Sequence, residues 1–342
     1  MRKLLFLLLL ASGLWSGYWF AGSGFLRQRA ESLFADAAAQ GIVAEKTALT
    51  VQGFPNRFDL TVEGLRLSDP ASGIGWQAPF AQVFAMTWKP WHIIAAFATE
   101  QVVALPDQSL IVTSQDLKAS LRARPATDLP LAELRLAGAS LGLQSDQGWS
   151  MGLGDFTIGL RATPDSGPAA YEFGFDLAPL TPDPAFLAAT RAVAIPDLPP
   201  SDLPDSIETL SASILLTLSA PIDRHMGSTN PHLTRLDIGN LSLIWGELGV
   251  SANGAVEADD DGYAAGRIEI KVTNWDRLPP LLIAMGTITP EAAPTVVRGL
   301  QALASQSPDL TVLALPLILE EGRMSLGPFP LGPAPLMVPP SG

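Results

Sequence analysis

Residues 4–26, LLFLLLLASGLWSGYWFAGSGFL, run for 23 positions without a charged side chain. As a helix the run is about 34 Å long at ~1.5 Å per residue, which matches a hydrocarbon core ~30 Å thick. Trp15, Tyr18, Trp19 and Phe20 crowd its far half, where an aromatic belt meets the membrane surface. Arg2 and Lys3 flank one end, Arg27 and Arg29 the other, so charge counting barely orients the segment. A cleaved signal peptide would need a shorter apolar run and a small-residue site; Ala11-Ser12-Gly13 and Ala21-Gly22-Ser23 are poor ones. A retained anchor over 1–26 is therefore expected. Gly13, Gly17 and Ala21 repeat at four-residue spacing, which lets two membrane helices approach closely and predicts a helix-dimer contact.

The chain beyond the anchor is long, acidic and free of Cys, so an inner-membrane, single-pass protein with its bulk in the periplasm is expected. The 34 acidic and 21 basic residues give a net charge of -13, which repels phosphate backbones and makes nucleic acid an unsuitable partner. The same balance discourages general adsorption to anionic headgroups. Hydrophobic residues reach 47%, charged ones only 16%, and mean hydropathy is +0.26. The anchor accounts for part of this; the rest predicts a large core or an apolar surface covered by ligand or lipid.

Thirty Gly and thirty Pro among short apolar runs predict strands and turns. The fold class expected is mainly β: elongated, curved antiparallel sheets with a few short helices behind the anchor. In FDLTVEGLRLSD the apolar face passes from Phe58, Leu60 and Val62 to Leu65 and Leu67, so a bulge at Gly64 is predicted. Ile268, Ile270 and Val272 alternate with polar residues; Leu313, Leu315, Leu317 and Leu319 lead into a turn at Glu-Glu-Gly-Arg. Asp183-Pro184 and Thr289-Pro290 read as helix starts. The predicted organisation is an anchor (1–26), a membrane-proximal helix ending at Gly41 (27–41), a β-rich lobe (42–194), a proline-rich linker (195–205), a second β-rich lobe (206–331) and a flexible tail (332–342).

Candidate chemistry is thin. Gly148-Trp149-Ser150-Met151-Gly152 matches the hydrolase elbow pattern, but alternating Phe156, Ile158 and Leu160 predict a strand where the elbow needs a helix. Glu257, Asp259 and Asp261-Gly262 resemble the front of a calcium loop, yet the twelfth position is Ile268; an acidic hairpin tip is expected. His92, His225 and His232, even with Asp223 nearby, are too scattered to predict a metal site. No cofactor signature is present. The most individual stretch is TWKPWHIIAAFA, where Trp88, Trp91, His92, Ile93 and Phe97 form a candidate contact with a ligand or membrane; the alternative is a short helix plugging a sheet end.

At GFPNRFDLTVEGLRLSDP, WQAPFAQVFAMTWKPWHIIAAF, KVTNWDRL and PFPLGPAP the chain resembles an alphaproteobacterial, membrane-anchored family, domain-of-unknown-function family 2125. That resemblance implies a domain behind an anchor and supplies no catalytic residues. The strand pattern is more distantly similar to AsmA-like envelope proteins, which implies sheets curled into apolar grooves for lipid. The expected function is non-enzymatic: holding lipid or another hydrophobic ligand in an apolar β-groove. A ligand-free envelope scaffold is the alternative, and a serine esterase using Ser150 a remote one.

Overall fold

A computed structural model describes residues 1–338 apart from 197 and 306. Strand accounts for 49% of the chain and helix for 23%, and much of that helix is one element, so the protein is β-rich as expected. Two compact units are formed, Met1–Pro125 with Leu134–Gly148, and Ala126–Glu133 with Trp149–Gly342.

The first unit begins with α1 (Arg2–Ala39), one unbroken helix through both the predicted anchor and the membrane-proximal segment. It stops because Gly41 takes φ +86°, a left-handed value that costs glycine nothing. The Ile42 and Gly41 amides then turn back onto the Ala37 and Ala38 carbonyls, both at 3.1 Å, which closes a Schellman motif. The sheet beyond it is an antiparallel meander. β1 (Val43–Glu45) and β2 (Ala48–Gln52) both pair with β3 (Arg57–Asp69), which pairs with β4 (Ile74–Met86). β5 (Lys89–Phe97) and β6 (Glu100–Ala104) share the far side of β4 and both pair with β7 (Ser109–Ala123). β8 (Leu131–Ser145) comes next, with its first three residues in the second unit.

The face change at Gly64 is real, but no extra residue produces it. Glu63 lies opposite Phe80 and Leu65 opposite Ala78, so the register is unbroken and Gly64 faces Pro79. Both strands turn over together at that level. Gly64 sits at φ +58°, and a Cβ there would collide with the Thr47 hydroxyl. Only glycine permits this approach, and it lets Val62 and Leu65 enter one core with Leu49 and Ala30 of α1.

α1 is joined to this sheet from Trp15 onward, while residues 1–14 are all exposed. Trp15 Nε1 donates to the Pro55 carbonyl at 3.0 Å, Tyr18 Oη to the Thr87 carbonyl at 2.8 Å, and Trp19 Nε1 to the Arg57 carbonyl at 2.7 Å. Trp19, 7% exposed, also stacks on Phe58 and meets Phe54 edge-on. Farther along, Glu31 bonds Lys46 at 2.7 Å, and the Lys46 ammonium lies over the Phe34 ring.

The second unit is a longer meander. β10 (Phe156–Ala162), β11 (Ala170–Leu177), β13 (Thr209–Leu218), β14 (Leu233–Trp245), β15 (Leu248–Ala258) and β16 (Ala264–Thr273) pair in that order, each antiparallel to the last. β17 (Val312–Glu320), β18 (Arg323–Leu326) and β19 (Phe329–Pro333) continue it, while β9 (Ser150–Leu153) and β12 (Leu180–Thr181) pair separately. The predicted turn after Leu319 closes with Glu321 and Gly322 both at positive φ, as a two-residue hairpin loop requires. α2 (Pro184–Ala192), α4 (Leu278–Ala284) and α5 (Ala293–Ala304) supply Leu187, Leu281, Val297 and Leu300 to a core with Trp245, Leu248, Trp275 and Leu313. A single turn, α3 (Met226–Thr229), lies outside it.

Two expectations need correction. Residues 195–205 do not separate the compact units: Ile195 and Leu203 belong to the second unit's core, and Arg277 holds the stretch through the Pro200 carbonyl and Asp202. The four prolines there favour a packed irregular segment because each removes one amide donor that a core edge would otherwise have to pair. The tail from Gly332 is also ordered as far as residue 338. Ala334 is buried, the Ala264 amide donates to the Pro335 carbonyl, and Leu336 bridges Tyr263. Residues 339–342 lie outside the described residues.

Candidate functional site

In the first unit, strand alternation assembles an apolar groove on the sheet face turned away from α1. Phe84 of β4 lies opposite Ile94 of β5, which lies opposite Ser120 of β7; two pairs along, Gln82, Ala96 and Lys118 stand in line on the same face. These side chains share a face because period two places alternate residues together. On this face Phe84, Met86, Ile94 and Ala96 form the apolar floor of a hollow of about 380 Å³. Its rim carries Arg57, His92 and Lys118. Arg57 bonds Asp59 at 2.6 Å and lies over the Phe84 ring, while Lys118 bonds Asp116 at 3.0 Å. His92 Nε2 is 3.1 Å from the Ser120 hydroxyl. An apolar floor with cations at one rim suits an amphiphile with an anionic or dipolar head.

The five residues singled out in TWKPWHIIAAFA do not converge. Residues 87–88 form the β4–β5 turn and 89–97 are strand, not helix. Trp88 stands at the turn, 53% exposed; Trp91 is half-buried. His92 enters the groove, whereas Ile93 and Phe97 point to the opposite face, Phe97 against Trp76. Composition draws attention to the correct strand, but it misses Arg57, Phe84, Met86 and Lys118. They come from three other strands or turns, and only the register brings them together.

A larger hollow of about 690 Å³ in the second unit is lined by the β17–β18 hairpin, including Glu320, Glu321 and Arg323. Its wall is formed by β17, β18 and β19 with their first turn, and among the described residues no set of reactive groups converges there. Ser150 opens β9 rather than an elbow, with strand following it. Its amide donates at 2.8 Å to Asp183, the N-cap of α2. That bond, with the Phe186 and Ala185 amides, holds the Asp183 carboxyl below its ordinary value. The acidic stretch is the β15–β16 hairpin tip: Asp259 accepts from the Asp261 and Tyr263 amides, and Gly262 takes φ +85°. His225 faces Asp128 at 3.6 Å and His232 bonds Ser219. Among the described residues no three potential ligands gather around a metal position.

α1 is long and apolar enough to cross a membrane. Gly13, Gly17 and Ala21 lie on its exposed side, away from the docked Trp19, and nothing outside the helix comes within 4 Å of a Cβ at either glycine. No curated protein and no solved structure matches the chain. One family profile does, from Trp19 in the docked half of α1 to Pro335 beside the last bridge, and so spans both units. The chain belongs to that family, the uncharacterized proteins conserved in bacteria known as DUF2125, matched over residues 19–335.

Proposed function

We propose that this chain is a single-pass, inner-membrane-anchored protein with its bulk in the periplasm, and that its first unit holds the acyl chain of a lipid. The observation that carries this is the groove: an apolar floor of Phe84, Met86, Ile94 and Ala96 under a rim of Arg57, His92 and Lys118. Burying even part of an acyl chain there stabilises the complex by roughly 25 cal/mol per Å² of apolar area. Arg57 and Lys118 place two cationic groups at the rim, paired with Asp59 and Asp116, which an anionic headgroup would engage by exchange of partner. Export is supported by the long acidic sequence after the anchor and by the lack of Cys.

Full-length protein photolabelled in a membrane with a lipid bearing a diazirine on its acyl chain tests this. Label is expected on β4 and β5 peptides, and an Ala96→Trp variant that fills the groove is expected to lose it while keeping its fold. Label confined to α1 would sink the groove and favour the ligand-free scaffold. The exposed face of Gly13, Gly17 and Ala21 supports a homodimer through α1 as a part of the same proposal. Gly17→Ile is expected to abolish α1 crosslinking between copies; unchanged crosslinking would remove the dimer.

A further inference from the structure

The position at which α1 meets the sheet bears on the depth of both in a bilayer. The charges nearest the apolar run are Lys3 and Arg27, and Trp15 lies midway between them, twelve residues from each. At ~1.5 Å per residue that is about 18 Å on either side, against a hydrocarbon core of ~30 Å. The free part of α1, residues 1–14, is therefore too short to cross by itself. The stretch 15–26 must complete the crossing, and that stretch is already joined to the turns at 53–56 and 86–88.

The bonding of these two turns fits such a setting. In hydrocarbon an unpaired backbone carbonyl costs several kcal/mol, so irregular backbone survives there only where its groups are satisfied by protein. The Pro55, Arg57 and Thr87 carbonyls accept from Trp15, Trp19 and Tyr18 of α1. The Asn56 carbonyl accepts both the amide and the hydroxyl of Thr87, and the Gly53 carbonyl accepts the Asn56 and Arg57 amides. Outward from this network project Phe20, Phe54, Met86 and Trp88, each between 41% and 64% exposed. Water-facing turns have no need of three aromatic donors, and a lipid-facing pair does.

We infer that the turns at 53–56 and 86–88 are seated with α1 in the leaflet on the Arg27 side, inserting Phe54, Met86 and Trp88 among the lipids. The first unit then stands on the bilayer as a rigid foot, with the Arg57 end of the groove nearest the lipid. This rests on the membrane-anchor role proposed for α1; it does not require that the groove be filled.

The chain has no Cys, so single labelling sites can be introduced freely. The environment-sensitive fluorophore NBD would be attached in the full-length protein at Phe6→Cys, Phe54→Cys, Trp88→Cys and Ser72→Cys. The proteins would be reconstituted into phosphatidylcholine–phosphatidylglycerol vesicles with brominated acyl chains. Ser72 is in the β3–β4 turn, at the other end of β3 from Arg57. The expected result is strong loss of emission at 6, 54 and 88, with 72 quenched by aqueous iodide alone. Quenching by lipid at 6 but not at 54 and 88 would overturn the seat and leave the anchor standing. Without lipid quenching at 6, the anchor reading falls and the seat with it. Matching near-ultraviolet circular dichroism of all four labelled proteins confirms that each signal reports the folded unit.

Discussion

The two units bury their apolar residues differently. The second closes on itself: α2, α4, α5 and the proline-rich stretch cover the sheet, and Leu313 and Leu248 are almost wholly enclosed. The first has one small core, and its cover comes from α1. Ile93, Ile94, Ile111 and Leu121 remain more than a third exposed, as do Met86 and Trp88. The second unit exposes apolar side chains too, such as Met285 and Leu310, but at its turns and edges around an enclosed core, whereas in the first unit they stand on the sheet itself. One sheet is covered by several packed elements, the other by a single helix.

The sharpest way to break that contrast is Leu313→Ala. Its site is 0% exposed, so about 4 kcal/mol should be lost, in the upper part of the range for a buried leucine. Hydrogen exchange should show the loss in the second unit, with β2 and β3 unaffected. Trp19→Ala should do the reverse, lowering the opening free energy of the first unit by about 3 kcal/mol, because it removes both a ring stack and a donor. Equal effects on the two units would refute their independence. Arg277→Met comes next. Arg277 is buried and bonds Glu247 at 3.0 Å, Asp202 at 3.1 Å and the Pro200 carbonyl at 3.0 Å. Burial opposes its charge, but Glu247 and Asp202 outweigh that and hold its pKa up. Its loss should cost about 2 kcal/mol by urea unfolding and free the stretch 195–205 to exchange.

The smallest effect sharpens rather than breaks the comparison. Asp183→Ala removes the cap of α2 and the partner of the Ser150 amide, for the smallest loss of stability among these variants. Because the folded carboxyl is held below its ordinary 3.8, its contribution is full above that value. The contribution disappears as pH falls through the lowered pKa. The difference between wild type and variant in urea midpoint should therefore shrink toward zero in acid, and a constant difference would mean that the charge is not what matters.

Local signals are legible where neighbours in sequence are neighbours in space. Asp183 with Pro184, Gly41 and the Leu313–Leu319 alternation each specify their own element through a few residues. The start of α5 is less sharply marked: Thr289 and Pro290 make a preceding turn, and the helix proper begins at Ala293. Segment roles are harder. Prolines at 196, 199 and 200 look alike in a linker and in a packed strap, since local composition carries no information about what Arg277 does from 77 residues away.

By itself the sequence determined an apolar helix before a β-rich, antiparallel body, because charge-free length and period-two alternation are properties of consecutive residues. Only the tertiary structure decided where that helix ceases to stand free. Trp15 and Trp19 read as a membrane belt, yet their indole N–H groups are spent on the carbonyls of Pro55 and Arg57. The groove was decided in the same way: Arg57, Phe84, Ile94 and Lys118 share one face through cross-strand register. Register is set by pairing between distant segments, and no local pattern encodes which strands will meet.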